Sequence, residues 1–130
     1  MGLISSRFVT PTMLERCCAG SLSSRAIGYT LLTADGRRIG VVKDLLFDDE
    51  AFEIRYLVVD TSTAEFPVGP PLVVLPATLC CEDAERKVVS SRATVEQVQA
   101  APSYDPVTAI SRAYEETVFT NFGERPYWPL

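Results

Sequence analysis

Two apolar runs, Ile39–Phe47 and Phe52–Val59, separated by the acidic break Asp48-Asp49-Glu50, constrain the fold of this chain more than any other feature. Each run is rich in Val, Ile, Leu, Phe and Tyr, is bounded by turn residues and is short for a helix, so the pair reads as consecutive strands of an antiparallel sheet. With the tip at Asp49-Glu50, or with Asp48–Ala51 as the loop, side-chain alternation sets Phe47 opposite Phe52, Leu45 opposite Ile54 and Val41 opposite Val58 on a core face. Asp44 then meets Arg55, Leu46 meets Glu53 and Val42 meets Leu57 on an outer face of mixed character.

The flanking sequence extends this hairpin into a small sheet. Ile27–Thr33 reads as a first strand, turning at Ala34-Asp35-Gly36-Arg37, where Asp-Gly supplies the positive-φ positions of a tight turn. After Asp60 the segment TSTAEFPVGP, with two prolines and a glycine, cannot continue a central strand. Leu72–Leu75 is a short apolar strand between Pro71 and Pro76, and Lys87–Ser90 is a last strand after a charged turn at Glu82–Arg86. Short strands at this spacing point to a small antiparallel β-barrel, in which closure removes exposed edges.

The C-terminal sequence changes character. Thr94-Val95-Glu96-Gln97 has the form of a capping box opening a helix that must stop by Pro102. A second helix runs from Ser111 to about Phe122 and ends at Gly123. Residues 1–24 show no clear periodicity; Thr12–Ala19 is compatible with a short helix and SLSS with a linker. The expected organisation is an N-terminal segment (1–24), a barrel (25–92) and a two-helix extension (93–130), a mainly β fold class.

Twelve basic residues against seventeen acidic ones give a formal charge of −5, and the pI is near 4.7. That balance argues against DNA and against a general RNA surface, since phosphate binding rests on basic side chains. Arg37-Arg38, the adjacent basic pair at a hairpin turn, reads as solvated. No run approaches the roughly twenty apolar residues of a membrane-spanning helix, and the N-terminal segment lacks the apolar core of a secretory signal. The expectation is a soluble cytoplasmic protein without membrane insertion.

The chain contains no histidine, which removes the commonest general base and zinc ligand. Asp44, Asp48, Asp49 and Glu50 lack the ligand order of a calcium loop and read as solvated carboxylates. Cys17-Cys18 and Cys80-Cys81 are adjacent pairs, whereas structural zinc sites space their ligands two to four residues apart so that both reach one metal. Reduced thiols are the expectation. No Gly-x-Ser-x-Gly, Gly-Lys-Ser/Thr or Gly-x-Gly-x-x-Gly is present. No catalytic, cofactor or metal residue is assigned.

The run DG-x-x-IG-x-V-x-D-x-LFDDE-x-F-x-IRYLVVD, then the Pro71–Pro76 strand, TVEQVQAAPSYDP and the tail SRAYEETVFTNFGERPYW, resembles stand-alone bacterial members of the PRC-barrel family. That family takes its name from the cytoplasmic domain of the photosynthetic reaction-centre H subunit and includes a 16S rRNA-maturation factor. The resemblance spans about Arg25–Trp128. It implies the barrel fold and an assembly or adaptor role, and it supplies no catalytic residues. It does not by itself imply electron transfer, because fold alone does not carry function.

The resulting expectation is a non-catalytic protein-interaction or assembly module. The alternatives are an RNA- or ribosome-associated maturation factor, and a small-molecule binder or enzyme using the barrel mouth. Tyr114, Val118, Phe119 and Phe122 on one helix, with Tyr127 and Trp128 beyond it, form an aromatic-rich set of the kind enriched at interfaces. They are the expected contact surface of a homo-oligomer, most simply a dimer.

Overall fold

The computed structural model describes residues 3–5, 24–48, 53–126 and 128. Within them lie strands β1 (Leu3–Ser5), β2 (Thr30–Leu32), β3 (Arg38–Asp48), β4 (Ile54–Asp60), β5 (Leu72–Pro76), β6 (Cys80–Asp83) and β7 (Val88–Ser91). Neighbours in the sheet run β5-β4-β3-β2-β7-β6, and β1 pairs with β3. The fold is mainly β with C-terminal helices, as the sequence implies. Two details differ from a closed antiparallel barrel. β2 and β7 pair in parallel, and the hydrogen-bonded path ends at β5 and β6 without closing. The two ends are linked at one corner by the 3-10 turn Ala77–Leu79. β6 was hidden in the sequence because its acidic residues read as part of a turn.

Helix α1 (Val95–Gln99) opens with the expected capping box: the Gln97 amide donates to Thr94 Oγ1 (3.1 Å) and the Thr94 amide to Gln97 Oε1 (3.0 Å). Helix α2 (Arg112–Phe122) is capped by Ser111, whose hydroxyl accepts from the Tyr114 amide, and ends at Gly123 in the left-handed conformation (φ 65°). The side chains and backbone thus satisfy amides and carbonyls that a helix leaves unpaired at its ends. Val73 forms a bridge with Ser103, and the Tyr104 amide donates to Leu72 O (2.9 Å), so the chain after α1 lies along the edge of β5.

The central register is not the one set by the hydrophobic alternation. Leu45 stands opposite Leu57 rather than Ile54, Val41 opposite Asp60 rather than Val58, and Asp44 opposite Val58 rather than Arg55. Leu46 meets Tyr56 rather than Glu53, and Val42 meets Val59 rather than Leu57. Phe47 stands opposite Ile54 rather than Phe52. Irregularities between Val42 and Asp44 and between Leu46 and Phe47 shift the phase along the hairpin, as bulges do by setting two residues against one. Alternation could not fix this register because β3 and β4 are buried on both faces.

The inner face carries Leu45, Leu57, Val59, Val73 and Leu75, all fully buried. By the period of two, Asp44, Leu46, Tyr56, Val58, Leu72 and Val74 share the outer face. Helix α2 covers one part of that outer face, its Phe119 ring lying 5.7 Å from the Tyr56 ring at a tilt of 52°. Tyr56 donates its phenol proton to Glu115 Oε1 at 2.9 Å, and Arg112 Nε lies 3.7 Å from Glu115 Oε2. A buried carboxylate on α2 therefore has charged and neutral partners.

Arg55 takes a different partner from the expected Asp44. Its Nε and Nη2 donate to Asp48 Oδ2 at 3.2 and 3.0 Å, and its Nη1 meets Glu53 Oε2 at 2.9 Å. The Asp48 side chain is 2% exposed and that of Arg55 18%. An exposed Asp44–Arg55 pair would have contributed at most about 1 kcal/mol. Breaking a buried pair leaves a desolvated charge behind, so Arg55→Ala is expected to cost about 3 kcal/mol. Equilibrium urea unfolding checks this; a loss below about 1 kcal/mol would mean that Asp48 finds adequate solvation alone.

Candidate interaction groove

The part of the outer face that α2 leaves open forms a groove. Its floor is Val58 of β4 and Leu72 of β5, one wall is Tyr104 and Pro106, and the other is Ile27, Lys43 and Asp44. The cavity volume is about 370 Å³. Each wall has a local cause. The irregularity at Val42/Asp44 brings Lys43 and Asp44 to the rim, and the Tyr104–Leu72 backbone bond holds the opposite wall against β5.

Polar contacts set the shape of the Tyr104 wall. Asp105 accepts from the Val107 amide and the Thr108 hydroxyl, both at 2.9 Å, and these bonds hold its carboxyl below the usual carboxylate range. This tight turn leaves Val107 92% exposed next to Pro106. Tyr114 donates to the carbonyl of Ser103 at 3.0 Å. Burial, with a smaller contribution from Tyr104, pushes the Tyr114 phenol up to about 12, so it remains a neutral donor at any physiological pH. A second cavity of about 220 Å³ lies between Tyr104 and Tyr114, with Ile110 in its lining.

The six residues expected at a subunit interface fall in different places. Val118, Phe119 and Phe122 are buried inside the chain, with 0%, 3% and 3% exposure. The helix stripe thus packs on this chain's own sheet, because the outer face of β4 and β5 is apolar and needs a cover. Tyr114 lines the smaller cavity. Trp128 packs edge-on to Phe119 at 5.4 Å, with the Arg112 guanidinium 3.9 Å from its ring centroid. Tyr127 lies outside the described residues.

The other sequence candidates are similarly dispersed. Asp44 reaches the groove, Asp48 is buried in its ion pair, and Asp49 and Glu50 lie outside the described residues. Arg37 pairs with Asp35, while Arg38 Nε donates to Thr63 O at 2.6 Å. Their neighbours thus anchor both arginines locally. Among the described residues no group of three or more acidic or thiol ligands converges on one point. Ile27, Tyr104 and Pro106 gave no sequence signal as a site, because a wall built by a loop crossing a sheet edge has no periodicity.

Cys80 is buried and Cys81 exposed, as adjacent positions of one strand demand. Burial pushes the Cys80 thiol up to about 12. In the unfolded chain a thiol ionises at about 8.5, so the stability this group contributes is complete below that pH and is lost as pH rises toward 12. In a Cys81→Ser variant, thiol alkylation at neutral pH followed by peptide mass mapping should leave Cys80 unmodified until denaturant is added. Rapid native-state labelling of Cys80 would contradict its burial. Cys17 and Cys18 lie outside the described residues.

The family model of the PRC-barrel domain matches residues 21–100. The chain belongs to the PRC-barrel family. The match takes in β2 to β7 and α1 and ends before α2, while β1 precedes it. No curated protein matches the chain. No helix among the described residues is long and apolar enough to cross a membrane.

Proposed function

We propose that this PRC-barrel chain is a non-catalytic interaction module whose groove beside β5 holds a short apolar stretch of a partner protein. The observation that carries the reading is the apolar character of an open site: Val58 and Leu72 floor it, and Ile27 stands 40% exposed on its wall. Exposed apolar side chains grouped at a concave surface mark contact sites more often than isolated ones do. The barrel interior supports the same view, since Leu31, Ile39, Leu45, Leu57 and Val89 fill it and are fully buried. The chain has no histidine, the commonest general base, to place in the groove.

The groove's volume also lies within the range of small-molecule sites, which gives a second reading. A photoreactive residue at Val107 and another at Lys87, which does not line the groove, separate the two in the native cell. The proposed function predicts a discrete protein adduct from position 107 that is absent from position 87 and is lost on Leu72→Asp. No adduct above the control, together with a cell metabolite that raises the melting temperature of the purified protein, would replace it with the small-molecule reading.

A further inference from the structure

We propose that the smaller cavity, between Tyr104 and Tyr114, binds an alkylated ammonium group, either the quaternary headgroup of a small free cation or the methylated amine of a lysine side chain. Two aromatic residues and a carboxylate line it: Tyr104, Tyr114 and Asp105, with Ile110 adding apolar surface. Aromatic rings attract cations electrostatically, and alkylated ammonium groups are the cations that aromatic cages recognise. The volume of about 220 Å³ is below that of drug-sized sites and suits a headgroup.

The three residues are held in place by local bonds. Tyr114 lies in the first turn of α2, where its amide donates to Ser111 Oγ at 3.1 Å, and its phenol donates to Ser103 O at 3.0 Å. Its ring is thus anchored at both ends. Tyr104 is fixed to β5 by the bond from its amide to Leu72 O. Asp105 follows directly; its Oδ1 accepts from the Val107 amide and its Oδ2 from the Thr108 hydroxyl, both at 2.9 Å. These donors are neutral, so the carboxylate keeps its charge, and each oxygen has a further lone pair to offer. Asp105 is exposed, which leaves the cavity open to a ligand from solvent.

The carboxylate decides the class of ligand. An anion would meet Asp105 as a like charge, and at the nearby start of α2 the Tyr114 amide is already taken by Ser111. The positive charge closest in sequence to this helix end, Arg112, is met by Glu115 at 3.7 Å and by the Trp128 ring. A bare primary ammonium is a strongly hydrated point charge that gives up water reluctantly. An alkylated ammonium gives its methyl groups to the rings and its charge to Asp105. The site does not rest on the groove reading: Leu72→Asp alters the floor of the groove and leaves Tyr104, Asp105 and Tyr114 unchanged.

The full chain titrated with choline and, separately, with dimethylbutanol, the uncharged isostere in which carbon replaces the nitrogen, tests the proposal by NMR shifts. Choline should shift Tyr104, Asp105 and Tyr114 at millimolar concentration, and the isostere should bind at least about fivefold more weakly, as loss of one exposed cation–π contact of about 1 kcal/mol requires. Asp105→Asn keeps an oxygen for the Val107 amide; it should weaken choline and leave the isostere unaffected. N-acetyl trimethyllysine amide is the third probe, and whether it or choline binds more tightly names a protein side chain or a free cation as the source. Equal binding of choline and the isostere would overturn the proposal in favour of a merely apolar cavity. So would an equal effect of Asp105→Asn on both, or no shift at these residues in tens of millimolar choline. Leu72→Asp should retain choline binding, which separates failure of the groove from failure of this site.

Discussion

Replacing Gly40 by alanine is expected to cost at least about 4 kcal/mol, most or all of the stability of a domain this size. A Cβ at this position would lie 1.9 Å from the Asp60 carbonyl oxygen and 2.9 Å from its carbon, both main-chain atoms that no rotamer change can move. Gly40 sits where β3 crosses the end of β4, with Val41 opposite Asp60 and the Thr61–Thr63 turn following. That crossing is also held by Asp60, whose carboxylate accepts from the Ser62 amide at 2.9 Å. To admit a methyl group the strands must separate there, which opens a core that includes the fully buried Ile39 and Val59. Gly69→Ala is the control, since nothing lies within 4 Å of its added Cβ, and it should change stability by less than about 0.5 kcal/mol. Thermal melting of the two variants side by side tests the contrast; equal melting temperatures would mean that the strands do not approach so closely in solution.

The glycine also illustrates what the sequence makes legible. The Ile-Gly dipeptide after the Asp-Gly turn is part of the family pattern, yet its physical cause, a backbone oxygen from a strand twenty residues away, appears only once the register is known. Local chemistry was readable in advance. The Thr94–Gln97 capping box and the Ser111 and Gly123 caps involve residues close in sequence, and each is where the pattern puts it. The hairpin register was not readable, because alternation carries phase information only when one face is wet. Here Leu57 faces inward and Tyr56 and Val58 outward, all at 2% exposure or less. The groove was illegible for a related reason: Ile27, Val58 and Tyr104 come from three separate segments that meet only through the sheet order.

The same reasoning reassigns the aromatic stripe of α2 and carries the other large prediction. Removal of residues 111–130 is expected to abolish cooperative folding. The deletion takes away Val118, Phe119 and Phe122, each worth about 1.5–3 kcal/mol of burial, so about 5–9 kcal/mol in all, comparable with the whole stability of a small domain. It also uncovers Tyr56, now 1% exposed, and leaves its hydroxyl without Glu115. Further ties are lost at Asn121 Nδ2, which donates to Gln97 O at 2.8 Å, and at Glu124, paired with Arg92 at 2.5 Å. Phe119→Ala alone should cost about 3–5 kcal/mol, whereas Val107→Ala, at a residue 92% exposed, should change stability by less than about 0.5 kcal/mol. Had α2 been a docking element between subunits, its removal would leave a folded single chain. An intramolecular cover predicts instead a truncated protein that melts without a cooperative transition or aggregates through the bared face of β4 and β5. Calorimetry and light scattering on the truncated chain decide between them: a sharp transition at the mass of one chain would return the helix to the role of an interface.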